Sequence, residues 1–200
     1  MEPLLGGYLS IRVPPQIGEI FEQASIKRSP AEWALRWVWN HPEVTVVLSG
    51  MNQEDHIEEN LRIAGEALPN SLTEAELEII EQVKKTYKRL MKANCTGCRY
   101  CMPCPHGVEI PLCFQAYNNL ALFGDKVGAT IKYILRTGGT GQGDEAYASL
   151  CQECGECEEA CPQNLPIRDL LKDVAREFED SGFPTMVSIV RKFLTGKAAD

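Results

Sequence analysis

Two stretches decide how this 200-residue chain is read. They are Cys95-Thr96-Gly97-Cys98-Arg99-Tyr100-Cys101-Met102-Pro103-Cys104-Pro105 and Cys151-Gln152-Glu153-Cys154-Gly155-Glu156-Cys157-Glu158-Glu159-Ala160-Cys161-Pro162. The second is C-x2-C-x2-C-x3-C-P, a spacing that wraps thiolates round iron–sulfur clusters. The first has two residues rather than three between its third and fourth cysteines. The sequence after each run also repeats. Cys104-Pro-His-Gly-Val108-Glu-Ile110 lines up with Cys161-Pro-Gln-Asn-Leu165-Pro-Ile167, and both lead into a helical pattern. The repeating unit is therefore a ligand loop plus a helix, and two such units usually pack about a pseudo-twofold.

A cubane cluster needs four soft ligands, and the tight x2 spacing lets one loop reach three of its corners. In two-cluster proteins of this type the cysteine before proline serves the other cluster. The expected sets are Cys95, Cys98, Cys101 and Cys161 for one [4Fe-4S] cluster, and Cys151, Cys154, Cys157 and Cys104 for the second. The short spacing before Cys104 departs from the pattern. Gly97 and Gly155 are expected to let backbone N–H groups approach the sulfurs. Zinc sites would more often appear as separated C-x2-C pairs, and a disulfide framework suits an oxidising compartment. The ninth cysteine, Cys113, reads as a small buried apolar residue, and His106 as a loop residue.

The net charge of −8 argues against nucleic acid or an anionic membrane as the main partner. No apolar run approaches the length of a membrane span, and the N-terminus lacks the pattern of a secretory signal. The expected location is cytoplasmic. The acidic residues Glu153, Glu156, Glu158, Glu159, Asp169 and Asp173 outnumber Arg168 and Lys172 around the second run. They form either a docking face for a basic partner or an ordinary solvated surface.

Before the cysteines the pattern changes. Met1–Gly7 reads as a strand and turn, and 16–23 as a short helix. Ser29-Pro30-Ala31-Glu32 is a capping box with proline in the first helical position. It opens a helix with Ala31, Ala34, Leu35 and Val38 on one face, ending near His41 before Pro42. The tryptophans Trp33, Trp37 and Trp39 read as core. Val44–Leu48 has a buried-strand pattern. Asn52, with Asp55 three residues on, is the expected cap of a helix reaching about Gly65. This is a βαβα unit with two parallel strands. Thr73 and Glu76 form another capping box, opening a long helix to about Lys92. Its basic end, with Lys84, Lys85, Lys88, Arg89 and Lys92, suits the helix dipole or sits near the first cluster. Further helices are expected over 111–122, 125–136, 144–150 and 167–180. Gly138–Gly143 should be a turn that is no phosphate loop, and the tail from Phe183 a surface segment.

These residues carry two resemblances. The part from about Asn94 to Arg176 resembles the α-helical ferredoxins of reductase iron–sulfur subunits. The part before it resembles the C-terminal portion of aldo/keto reductases: Met1–Gly7 their seventh barrel strand, Ser29–His41 the following helix, Val46–Asn60 the eighth strand and its helix, Leu72–Glu76 the final segment. Together they resemble iron–sulfur aldo/keto reductase-like oxidoreductases.

The resemblance implies a mainly α chain in three parts. Residues 1–93 would be a partial TIM-barrel end, 94–180 an α-helical ferredoxin-like domain with two [4Fe-4S] clusters, and 181–200 a tail. It implies single-electron transfer to or from a barrel site, with a structural Fe–S or zinc module as the alternative. It also implies NAD(P) in a complete barrel, framed by Ser49, Gly50, Met51, Asn52, Glu59 and Asn60 near a helix N-terminus. The departures are specific. Gly50 and His56 stand where the family often has basic residues, and Met1 where it often has an aromatic. The strands that carry the catalytic tetrad are not among these residues, so no catalytic residue is assigned. The expected partner is a redox protein or the missing barrel segment. The chain reads as a fragment or a shortened gene product.

Overall fold

The computed structural model describes residues 3–140 and 143–195. The chain divides into two compact units, Met1–Arg89 and Leu90–Asp200.

The first unit contains α1 (Tyr8–Ile11), α2 (Pro15–Glu22), α3 (Pro30–Trp39), α4 (Glu54–Glu66) and most of α5 (Glu74–Leu90). Both expected capping boxes form. Ser29 Oγ accepts the Glu32 N–H at 3.0 Å. Thr73 Oγ1 accepts the Glu76 N–H at 3.3 Å, and Glu76 returns an acceptor to the Thr73 N–H at 2.8 Å. The tryptophan on the inner face of α3 is core: Trp33 is buried, stacks on Phe21, and clusters with Ala24, Leu72 and Ile80. A partly buried charge lattice adds direction to this packing. Glu32 pairs with Arg36 and Arg62, both at 2.7 Å, which ties α3 to α4. Arg28, lying over the Trp33 ring, pairs with Glu76 at the start of α5.

Among the described residues the two expected strands do not form. The segment 44–50 has no regular structure, and among the described residues β-pairing is confined to one bridge, Gly138 with Glu145. Within Met1–Gly7, residues 1 and 2 lie outside the described part. The rest is a turn in which Leu5, Gly6 and Gly7 have φ of 50°, 62° and 87°. A strand satisfies its N–H and C=O groups through neighbours, and these segments have no described ladder partner. Val46 and Leu48 are accordingly 71% and 59% exposed, opposite to a buried strand. The cap of α4 also differs from expectation. It is Gln53 rather than Asn52, with no side-chain cap bond.

The second unit contains α6 (Ile110–Phe123), α7 (Lys126–Thr137), α8 (Glu156–Glu159), α9 (Ile167–Phe178) and α10 (Phe183–Thr195), with a 3-10 turn at Ala148–Leu150. Only that turn forms where a helix over 144–150 was expected. The two repeat helices, α6 and α9, pack on each other, and α7 packs on both α6 and α10. On α9, Ile167, Leu171, Val174 and Phe178 recur at helical spacing and are all buried. The tail from Phe183 differs from its expectation. It is a helix whose Phe183 and Val187 enter the core, and its Arg191 donates to the Gly138 carbonyl and pairs with Glu145. Of the turn expected over Gly138–Gly143, Gly141 and Gln142 lie outside the described residues.

Candidate metal centre

The two cysteine runs have matching backbones. In each, the residues on either side of the middle cysteine have positive φ: Gly97 and Arg99 at 69° and 65°, Glu153 and Gly155 at 57° and 91°. Glycine adopts this conformation freely and other residues rarely do. The two loops share it, yet place their glycine on opposite sides of the middle cysteine. That curl turns an N–H onto the first sulfur of each run. Gly97 N–H donates to Cys95 Sγ at 3.4 Å, and Glu153 N–H to Cys151 Sγ at 3.5 Å. The expectation for Gly97 is met. In the second run the donor is Glu153, whose side chain gave no signal for it.

The repeat continues past the fourth cysteines. The Gly107 N–H donates to the Cys104 carbonyl at 3.0 Å, and the Asn164 N–H to the Cys161 carbonyl at 3.1 Å. Gly107 and Asn164 also both have positive φ, 79° and 50°. Ile110 and Ile167 then start α6 and α9, both buried. The runs differ where their spacing differs. Between Cys157 and Cys161 runs the single turn α8, whereas the Met102–Pro103 peptide between Cys101 and Cys104 is cis.

All nine cysteines are free of disulfides. The fold gathers eight of them in two crossed groups. Cys95, Cys98 and Cys101 line one pocket together with Cys161, closed by Ile110, Phe114, Leu165 and Ile167. Cys157 lies within electrostatic reach of Cys151, Cys154 and Cys104. Burial pushes the Cys101 thiol up, and the negative charge of Cys95, Cys98 and Cys161 adds to that. Burial likewise pushes Cys157 up to about 11, with Cys151 and Glu158 contributing. The middle cysteines, Cys98 and Cys154, are the exposed members, and the other six are half-buried. Among the described residues no three His, Cys, Asp or Glu side chains converge to hold a single metal ion. A [4Fe-4S] cluster asks for something different, since each of its four irons takes one thiolate. Four thiols spread around an apolar-walled pocket fit that demand.

Cys113 is fully buried on α6, and burial raises its thiol to about 12. It behaves as the apolar core residue its place on a helix suggested. Of the acidic residues near the second run, Glu153 pairs with Lys172, Glu158 with Arg168, and Asp173 with Arg176. Glu156 and Glu159 are exposed. On α5, Lys84 pairs with Glu81 and, like Lys85, Lys88 and Arg89, is exposed.

The expected nucleotide residues also come together. Ser49, Gly50, Met51, Asn52, Glu59 and Asn60 all line a cleft of about 700 Å³ in the first unit, with His56. Within it Asn60 Nδ2 donates to Ser49 Oγ at 3.3 Å, and Ser29 Oγ donates to Glu59 at 2.6 Å. Among the described residues no Lys or Arg lines it, and the first turn of α4 carries Glu54 and Asp55. That charge opposes the favourable dipole a phosphate would find there.

Sequence reasoning missed the side chains that hold the lead-in to each run. Asn118 on α6 bonds to the backbone of Lys92 and Ala93. Tyr133 and Glu179 bond to the backbone of Ala148 and Ser149. Their partners are backbone groups distant in sequence, so spacing carries no signal of them.

Comparison with known families gives two matches, in chain order. The aldo/keto reductase family matches residues 12–85, and the 4Fe-4S dicluster domain matches residues 94–165. No curated protein and no solved structure matches the chain. The two family matches mark an iron–sulfur oxidoreductase module, an aldo/keto reductase-like segment followed by a ferredoxin-type one.

Proposed function

We propose that this chain is the electron-carrying end of an iron–sulfur oxidoreductase. Cys95, Cys98, Cys101 and Cys161 hold one [4Fe-4S] cluster, and Cys151, Cys154, Cys157 and Cys104 hold the other. The observation that carries the reading is the crossed gathering, in which each triplet meets the fourth cysteine of the opposite run. Bound clusters of this type store and pass single electrons.

The protein's own part is ligation, burial and hydrogen bonding. The thiols must lose their protons to bind iron, so burial that raises Cys101 and Cys157 is offset only when metal is bound. The N–H groups of Gly97 and Glu153 place partial positive charge on Cys95 and Cys151, which favours the reduced state. Ile110, Phe114, Leu165 and Ile167 keep water from one side of the first group. The partner is a redox protein or further barrel elements, with Glu156 and Glu159 as the acidic contact for a basic surface. The compartment is the cytoplasm, where thiols stay reduced. No helix among the described residues is long and apolar enough to cross a membrane.

Ser49, Gly50, Met51, Asn52, Glu59 and Asn60 frame the phosphate of NAD(P) only when further barrel elements supply the cation their cleft lacks. Titration of this chain with NADPH, followed by nicotinamide fluorescence, should therefore show no binding tighter than about 1 mM.

The test of the main reading is anaerobic reconstitution with iron and sulfide. The expected product has about eight irons per chain and a visible band bleached by dithionite. Cys104→Ser should then perturb the cluster that Cys154→Ser perturbs, and Cys161→Ser the one that Cys98→Ser perturbs. Stoichiometric zinc, or clusters that resist reduction, would favour the structural alternative.

A further inference from the structure

Each cysteine run is preceded by a short backbone segment, and in both cases a polar side chain from a distant helix grips it. Before the first run, Asn118 on α6 makes three bonds to two consecutive residues. Its Oδ1 accepts the N–H groups of Lys92 and Ala93, each at 2.9 Å, and its Nδ2 donates to the Ala93 carbonyl at 2.6 Å. Asn118 is 8% exposed and Ala93 is 1% exposed. Before the second run, Tyr133 on α7 accepts the Ala148 N–H at 2.8 Å and donates to Glu179 at 2.5 Å. Glu179, at the end of α9, also accepts the N–H groups of Ala148 at 2.9 Å and Ser149 at 3.3 Å. Ala93 and Ser149 each stand two residues before the first cysteine of their run.

The two grips are not a by-product of the sequence repeat. Counted from the aligned Ile110 and Ile167, Ala175 occupies the place of Asn118. Different side chains, at different positions, deliver hydrogen bonds to the same point of each loop. In both cases one gripping residue lies on or at the end of the helix that follows the run. Each loop is thereby closed onto its own helix, while its fourth cysteine serves the opposite group. Burying an amide or a phenol is costly unless its bonds are made. Here those bonds go to the backbone leading into the thiols.

We infer that Asn118, and Glu179 with Tyr133, are positioning residues, each fixing the lead-in to one cysteine run so that its three thiols arrive pre-set for a cluster. The inference rests on the cluster-binding reading above. Supporting groups that orient ligands typically change metal affinity by about ten- to a hundredfold when removed. The effect should be confined to one cluster of the two.

The experiment uses the full chain, reconstituted anaerobically. It follows cluster release to a chelator and the electron paramagnetic resonance of the dithionite-reduced protein. Cys98→Ser and Cys154→Ser supply reference spectra for perturbation of one cluster at a time. Asn118→Ala should release the Cys95–Cys98–Cys101 cluster about ten- to a hundredfold faster, leaving a spectrum like that of Cys98→Ser. Glu179→Ala should do the same to the other cluster. Glu179→Gln keeps an acceptor oxygen and should hold both clusters nearly as wild type does. Asn118→Asp keeps the acceptor but loses the donor to Ala93, and should fall between Asn118→Ala and wild type. That graded pair keeps the test decisive if circular dichroism shows one alanine variant unfolded. Equal weakening of both clusters, wild-type release from the variants, or a glutamine variant as poor as alanine would overturn the inference alone. A wild-type chain that takes up no cluster would overturn the cluster reading and this inference with it.

Discussion

Glycine at position 155 is required by its backbone, with φ of 91° in the loop that carries three thiols. Gly155→Ala should cost about 1–2 kcal/mol, read as a lower melting temperature of the reconstituted protein. Its counterpart Arg99 already occupies a left-handed position and is tied to Glu109 at 2.6 Å. Cys113 gives a second test at this scale. Its folded value is raised to about 12 by burial, so the folded state holds the proton that the unfolded chain releases first. Its contribution to stability is fully present below about pH 9, the ordinary value, and is lost as pH rises toward about 12. Cys113→Ala should therefore flatten the alkaline loss of stability measured by urea unfolding between those limits, and should leave the iron content unchanged. An iron loss would show Cys113 to be a ligand.

At the level of elements, α3, α4 and α5 are joined by charge as much as by apolar contact. Burial pushes Glu32 up, but the hydrogen bonds and charges of Arg62 and Arg36 outweigh it and hold the carboxyl below its ordinary value. Removing the Glu32 charge leaves Arg36 and Arg62 without their shared partner, so Glu32→Gln should destabilise the first unit, read as a lower melting temperature of that unit. The depressed value also sets a direction with pH. The stabilisation is present above the ordinary glutamate pKa of 4.5 and is lost as pH falls through the lower folded value. The acid branch of a stability profile should be shallower in Glu32→Gln than in wild type. On α8, Glu156 and Glu159 are exposed beside Cys157. Changing both to glutamine removes negative charge near the second thiol group and should raise the reduction potential of that cluster. A redox titration in which both potentials stay put would mean that solvent screens these charges fully.

The whole molecule has two units, each with its own apolar core. Calorimetry of the reconstituted chain should resolve two transitions, because each core can melt by itself. Removing iron with a chelator should lower only the transition of the ferredoxin-type unit, since ligands stabilise only the unit that binds them. Glu32→Gln should lower only the other. A single transition that moves in both cases would show the units to be one cooperative body.

The sequence by itself determined the two cysteine runs, the repeat and most helices. Cysteine spacing is a local property, and so are the capping boxes at Ser29 and Thr73 and the apolar period of α9. What it could not determine is whatever depends on a distant partner. Val44–Leu48 has the side chains of a buried strand, yet a strand exists only where a neighbour takes its N–H and C=O groups, and among the described residues none does. The segment from Phe183 looked like surface until the tertiary structure placed Phe183 and Val187 in the core beside α7. The same holds for the cysteine runs. Their spacing counts eight thiols, and only the tertiary structure brings Cys161 into one pocket with Cys95, Cys98 and Cys101, and Cys104 within electrostatic reach of Cys157. The reason is physical: the spacing of thiols within a loop is set by chain geometry, but their meeting across the repeat depends on how the two halves of the unit bury their apolar faces.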